Sequence, residues 1–383
     1  MPALFINTIV TFVLSVALVL ILRRLVVAIQ LVDLPDSKRK RHSGAVPLCG
    51  GIAIFAAFAI VSVATVQTDT LGFSFWFSLM VILLMGVIDD RRPLPVAVRF
   101  VMQLVMAVAL VSSTNIGSLS IGALFFQNPH IFLPLFLFVG VLFVTGLLNA
   151  WNMLDGVDGL AGGTALVALI WLMLIANLAG MTRLVAPLET LAACLCAFLV
   201  FNMRSPWQVR ASVFLGDAGS TALGATIGYI ILLLATGSMA VAFPALIWVV
   251  ILPVADTMSL IVRRLMAGRS PMSADRWHIH HLLMDYGLSA TATTNALMIV
   301  SAICGAIGYF GIRANIASEL MAIGLVVPIG LHTLLVLAAD GNLSKLGVHK
   351  GAFRPLADHR SDKQSTSEAI LSPRVTIPPL AGE

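Results

Sequence analysis

Asn149, Asn152, Asp155 and Asp158 stand at three-residue intervals in the run Asn149-Ala150-Trp151-Asn152-Met153-Leu154-Asp155-Gly156-Val157-Asp158-Gly159-Leu160. The run lies between two long apolar segments. A carboxylate beside hydrocarbon is costly and persists where it meets a cation, a proton or a polar ligand. On a helix, Asn152 and Asp155 would share a face, as would Asn149 and Asn152. Gly156 and Gly159 predict a backbone that turns tightly or lets a ligand come close. The run holds no Lys or Arg to balance its two aspartates. Hard oxygen ligands of this kind suit magnesium or manganese (Mg2+ or Mn2+) rather than zinc.

Four further polar clusters sit at the ends of apolar stretches. Asp33-Leu34-Pro35 leads into the basic run Lys38-Arg39-Lys40-Arg41-His42. Such a run is a stop-transfer signal or a grip on a phosphate or anionic head group. Asp89-Asp90-Arg91-Arg92-Pro93-Leu94 sets two carboxylates side by side, a repulsion relieved by a cation, a shared proton or the neighbouring arginines. Gly216-Asp217-Ala218-Gly219-Ser220 opens an apolar span. There Asp217 is either a helix cap or a metal ligand close to phosphate, and the two readings are compatible. Arg263-Arg264, Arg276 and His278-Ile279-His280-His281 form the last cluster. Nothing nearby completes a zinc tetrahedron, so a diphosphate held by the histidines with Arg264 and Arg276 is the better reading. Asp256, inside an apolar span, is either functional or a satisfied tie between helices. His130, His332, His349 and His359 carry no such signal.

The elements that must position these clusters are membrane helices. The chain has 383 residues, 59% of them hydrophobic and 11% charged, against about 25% charged in soluble domains. Apolar runs predict an all-α polytopic bundle of about eleven transmembrane helices, near 3–29, 48–67, 71–88, 98–114, 130–148, 160–180, 185–202, 215–236, 240–262, 293–311 and 317–338. A small hairpin is expected within 116–126. With the N-terminus outside, only Arg183 and Arg313 of the 23 Lys and Arg fall on the outer side. The C-terminus and every polar cluster then face the cytoplasm. No Lys or Arg precedes Arg23, so the first span is expected to stay rather than be cleaved. Residues 1–338 read as one membrane domain and 339–383 as a disordered cytoplasmic tail. The net charge of +5 is accounted for by short loops, which excludes a nucleic-acid partner. The four cysteines lie in or beside spans and predict no disulfide framework.

Oxygen ligands for a cation, basic groups for phosphates and a lipid setting on one face suit transfer of a phosphorylated group to a membrane-held acceptor. A transporter for an anionic solute is the rival. It would place polar groups near mid-membrane, where only Asp256 qualifies.

In order, Asp-Asp-x-x-x-Leu, Asn-x-x-Asn-x-x-Asp-Gly-x-Asp-Gly-Leu, Gly-Asp-x-Gly-Ser, Ser-Pro-x-Ser-x-Asp-Arg and His-Ile-His-His resemble the motifs of the polyprenyl-phosphate N-acetylhexosamine-1-phosphate transferases. The similarity runs from about residue 33 to 285 and is nearest to the bacterial members of surface-polysaccharide synthesis. It implies a multi-pass enzyme of the bacterial inner membrane that moves N-acetylglucosamine 1-phosphate, or a related sugar phosphate, from a UDP-N-acetylhexosamine to undecaprenyl phosphate. It also implies a magnesium or manganese cofactor held by Asp217 with Asn152. By the same resemblance, Asp89 and Asp90 would lie beside the lipid phosphate, with Asp89 a candidate base. Asp155 and Asp158 would shape the nucleotide pocket. His278, His280, His281 and Arg276 would meet the donor, and Lys40, Arg41 and His42 the acceptor phosphate. The His-Ile-His-His motif differs from that of relatives using a muramoyl-pentapeptide donor, which argues for a simple sugar. Whether the chain forms a homodimer stays open.

Overall fold

The computed structural model describes residues 2–34, 44–120, 129–237, 239–270 and 277–345. The first seven long helices are α1 (Pro2–Ala28), α2 (Gly50–Ala64), α3 (Thr68–Arg91), α4 (Val96–Ser112), α5 (Pro129–Leu154), α6 (Leu160–Leu178) and α7 (Val185–Asn202). They are followed by α8 (Gly216–Ala235), α9 (Phe243–Ile247), α10 (Ile251–Met266), α11 (Ile279–Asp285), α12 (Ala290–Arg313), α13 (Ser318–Gly324) and α14 (Val326–Lys345). Among the described residues, nine helical stretches are long and apolar enough to cross a membrane. Gly50–Ala64 and Val96–Ser112 are apolar but shorter. The chain is a polytopic helical membrane protein.

Two expected spans are broken. The stretch near 240–262 is α9, a single 3-10 turn (Trp248–Val250) and α10. Pro253 sits in the first turn of α10, where its missing N–H costs no helical hydrogen bond. The last span divides at Leu325 into α13 and α14, and Pro328 again occupies a first turn. α14 runs through the boundary expected at 338/339 and ends at Lys345. The rest of the expected tail, 346–383, lies outside the described residues. So does 121–128, most of the expected hairpin; Ile116–Ser118 before it is a 3-10 turn.

α8 is the axis of the bundle. It packs chiefly against α5 and α3, and also against α2 and α6. Its residues Gly-Asp-Ala-Gly-Ser-Thr-Ala-Leu-Gly are small, which lets neighbouring backbones come close. A methyl group added at Gly51 would lie 2.2 Å from the Gly219 Cα, and one at Gly86 would lie 2.2 Å from the Ala218 Cα. One at Gly224 would lie 2.3 Å from the Leu147 carbonyl oxygen. The N-terminal turns of α2 and α8 and the C-terminal turn of α3 are thus brought together at one end of the molecule.

A short antiparallel pair, β1 (Val32–Asp33) with β2 (Val46–Pro47), closes the stretch that holds the basic run. The strand leading out of it lies beside the approach to α8. Phe214 donates its N–H to the Pro47 carbonyl at 2.9 Å, and Gly50 and Gly51 donate theirs to the Phe214 and Leu215 carbonyls, each at 2.9 Å. Lys40, Arg41 and His42 themselves lie outside the described residues.

Candidate active site

The last turn of α3 ends in Asp89 and Asp90, whose side chains go to different partners. Asp89 is buried. It accepts from the Leu94 N–H at 2.6 Å and from the Arg99 guanidinium at 2.6 Å. Asp90 reaches across to α8 and accepts from the N–H groups of Asp217 at 2.8 Å and Ala218 at 3.3 Å. These are first-turn amides with no partner inside their own helix. The cap of α8 therefore comes from a carboxylate on α3, and its own Asp217 is released from that duty. Gly216 makes the approach feasible. Its φ is +76, and an added methyl group would stand 2.7 Å from an Asp90 carboxylate oxygen.

α5 is helical through Leu154, so Asn149 and Asn152 occupy its final turns. Asn149 donates to the Gln103 side chain at 2.9 Å and ties α5 to α4. Asn152 donates to Asp217 Oδ1 at 2.8 Å and to Ser220 Oγ at 3.0 Å. The Arg99 guanidinium lies 3.8 Å from Asp217 Oδ2. Asp89, Asp90, Asn152, Asp217 and Arg99 thus meet at the ends of four helices. The Asp217 side chain is 39% exposed, against 5% for that of Asp89.

The loop from Asp155 to Gly159 follows. Gly159 has φ +80 and starts α6 from a left-handed position. Asp158 bonds the Arg204 Nε at 2.7 Å and the Ala211 N–H at 3.2 Å. A cation supplied from the α7–α8 connection therefore balances this aspartate, although the loop's own sequence contains none. The charge argument for a bound metal ion consequently rests on Asp155 alone. Withdrawal from water, with Asp217, Asp90, Asp158 and Asp33 nearby, pushes the Asp155 carboxyl well above the ordinary range.

Asn202, which sequence reasoning passed over, joins this loop to the approach of α8. Its Oδ1 accepts from the Gly159 N–H at 2.8 Å, and its Nδ2 donates to the Val213 carbonyl at 2.9 Å. A lone amide in the last turn of an apolar span was the available signal.

The histidines pack against the same loop. His278 has extended backbone, with φ −67 and ψ 149, and α11 begins after it. His278 and His281 therefore do not share a helical face. The rings of His278 and His280 stack instead, 5.5 Å apart and 9° from parallel, and those of His280 and His281 are 4.2 Å apart. A methyl group at Gly156 would lie 2.4 Å from His280 Nε2, so this glycine gives the ring its place. Asp256 is buried and accepts from His278 Nδ1 at 2.9 Å and from the Ile279 N–H at 3.0 Å. His332, also missed by sequence reasoning, brings its Nε2 within 3.3 Å of Asp256 Oδ1. Arg264 is buried at the end of α10. Its neighbour Arg263 donates to the Trp277 carbonyl at 2.7 Å. Arg276 lies outside the described residues.

Among the described residues, no three His, Cys, Asp or Glu side chains stand together as a metal cage. Asp217 offers one accessible carboxylate, and Asn152 beside it would present its amide oxygen after a half-turn. One carboxylate and one amide oxygen fit a hard cation that keeps several waters and takes its other ligands from phosphate oxygens, as magnesium does.

Residues 72–235 match the family described as glycosyl transferase family 4. A Yersinia pestis undecaprenyl-phosphate alpha-N-acetylglucosaminyl 1-phosphate transferase is 30% identical over 315 residues, covering 82% of this chain and 86% of that protein. Its namesake from Escherichia coli K12 is 30% identical over 306 residues, 78% of this chain and 81% of the relative. That from Haemophilus influenzae is 29% identical over 303 residues, 79% and 85% of the two chains.

Proposed function

The chain belongs to glycosyl transferase family 4, and on that premise we propose that it transfers N-acetylglucosamine 1-phosphate from a UDP-sugar to undecaprenyl phosphate. The observation that carries this reading is the meeting of Asp217 with Asn152, Asp90, Asp89 and Arg99 at adjoining helix ends. Two short helices, α2 and α4, join the nine long stretches to give eleven spans, with the N-terminus outside and the site on the cytoplasmic face of the bacterial inner membrane.

The reaction is a single displacement. An oxygen of the lipid phosphate attacks the β-phosphorus of the donor. The bond from that phosphorus to the bridging oxygen breaks, and UMP leaves with the electron pair. Magnesium or manganese, when bound at Asp217 and Asn152, offsets charge on the donor phosphates. Arg99 holds Asp89 and adds positive charge beside the reacting phosphates. Asp90 fixes the first turn of α8 and so aims Asp217. Both carboxylates of the Asp89-Asp90 pair already accept two hydrogen bonds each. That engagement argues against either as a covalent nucleophile. The His278–His281 cluster, with Arg264 and Arg276, receives the donor diphosphate and sugar. Asp155 and Asp158 line the nucleotide side, and Lys40, Arg41 and His42 draw the lipid phosphate in.

Purified full-length protein given undecaprenyl phosphate, magnesium and UDP-N-acetylglucosamine labelled in the sugar should yield solvent-extractable, lipid-linked label and free UMP. Parallel reactions with other UDP-N-acetylhexosamines and with the muramoyl-pentapeptide donor decide the sugar. Absence of lipid-linked label from every donor would refute the proposal.

A further inference from the structure

The geometry points to His332, on the last helix, as a positioning residue that acts through Asp256 on the histidine cluster. This rests on the proposed function insofar as that cluster receives the donor.

Three separated segments meet at one carboxylate. Asp256 lies on α10, His278 precedes α11 and His332 lies on α14. Asp256 is 2% exposed and His332 8% exposed. A carboxylate so far from water is tolerated only when its lone pairs are matched by donors. Here the donors are the Ile279 N–H and His278 Nδ1, and His332 Nε2 stands 3.3 Å from Oδ1 as an ion-pair partner rather than an aligned hydrogen bond.

The arrangement fixes two properties of the cluster. An imidazole whose Nδ1–H goes to a carboxylate keeps Nε2 as its remaining polar atom, so the partner selects the tautomer and the ring plane. The Ile279 N–H bond also caps α11, which carries His280 and His281. One carboxylate therefore orients all three rings, and His280 transmits the placement to Gly156 in the aspartate loop. His332 holds the carboxylate from its far side. Without it, one Asp256 oxygen would keep only the Ile279 N–H and could rotate toward other partners. α14 contacts α10 and α11 directly, so the last helix is built into this arrangement. His332 itself is not assigned to substrate contact.

The test uses the full chain in lipid nanodiscs with isotope-labelled histidine. Imidazole nitrogen NMR shifts, read without substrate, report which ring nitrogen carries hydrogen, and His278→Gln identifies the relevant signal. Nδ1–H is expected for His278 in the unaltered chain, with a mixed state in His332→Ala and Asp256→Asn. In turnover, His332→Ala should raise the KM for UDP-N-acetylglucosamine about tenfold, leaving the KM for undecaprenyl phosphate unchanged. His332→Gln, whose amide can donate to the same oxygen, should recover most of that loss. A His278 that is Nε2–H in the unaltered chain overturns the inference. So does equal elevation of both KM values, or a donor KM within about twofold of the unaltered protein's in His332→Ala. If the unaltered protein turns over no donor, the proposed function fails, and the imidazole spectrum still decides the contact.

Discussion

The acidic cradle and the histidine cluster solve the problem of charge near a membrane in opposite ways. In the cradle, Asp89, Asp90 and Asp217 sit at helix ends, and each is met by backbone amides, an amide side chain or Arg99. Asp217 stays open. In the histidine cluster one carboxylate, Asp256, is sealed inside and everything around it turns inward. The contrast separates two tasks. Charge that must meet a substrate is kept at an edge, where helix termini supply free amides. Charge that must hold other side chains still is buried and saturated.

If that division is right, substitutions in the two regions should fail differently. The largest effect belongs to the open carboxylate. Asp217→Asn should lower transfer by at least about a hundredfold with the melting temperature in detergent unchanged; retained turnover would remove the assignment of the metal to this residue. Gly156→Ala probes the seam between the regions. It pushes on the His280 ring, a side chain able to move, and should cost about ten- to hundredfold in activity with little change in stability. Gly86→Ala strikes backbone instead. With the Ala218 Cα in the way, α8 must shift, and unfolding should come about 1–3 kcal/mol sooner, measured by thermal melts. Asn202→Ala leaves the Gly159 N–H and Val213 carbonyl without partners and should cost about 1–3 kcal/mol.

The smallest effect is one of pH. The carboxyl of Asp155 titrates higher in the folded chain than in the unfolded one. Its contribution is fully present below the unfolded value and is lost as pH rises through the folded value. Metal-free protein should therefore melt at lower temperature as pH is raised across that interval. Asp155→Asn should flatten the dependence, and added magnesium should oppose it. A pH dependence identical in the variant would show that Asp155 does not carry it.

Features confined to a few neighbouring residues were readable before any coordinates. The apolar spans and the turn at Gly156–Gly159 follow from local spacing, whereas Asn152 pairs with Asp217 and Ser220 on α8 rather than with the aspartates beside it. The partners that complete the site were not readable, because helix packing decides them. Asp90 meets the Asp217 N–H from 127 residues away in sequence, Asp158 meets Arg204 from 46 residues away, and no periodicity announces either contact. Gly216 and Gly219 flank Asp217 where a span opens, and the sequence names no partner for either. In the structure Gly216 admits a carboxylate from α3, and Gly219 lies against Gly51 on α2. His332 looked incidental because a single polar residue in an apolar span has no local partner to reveal its purpose.

Among the nine long spans of the described residues, the one that carries His332 is the least buried within the molecule. Only 17% of the most apolar stretch of Ser318–Ala339 is buried, against 94% for Gly216–Ala235. A helix in that position takes its tilt from bilayer thickness and composition, while the central helix is shielded from both. The acyl chains around this helix therefore have a mechanical route to the imidazole rings through His332.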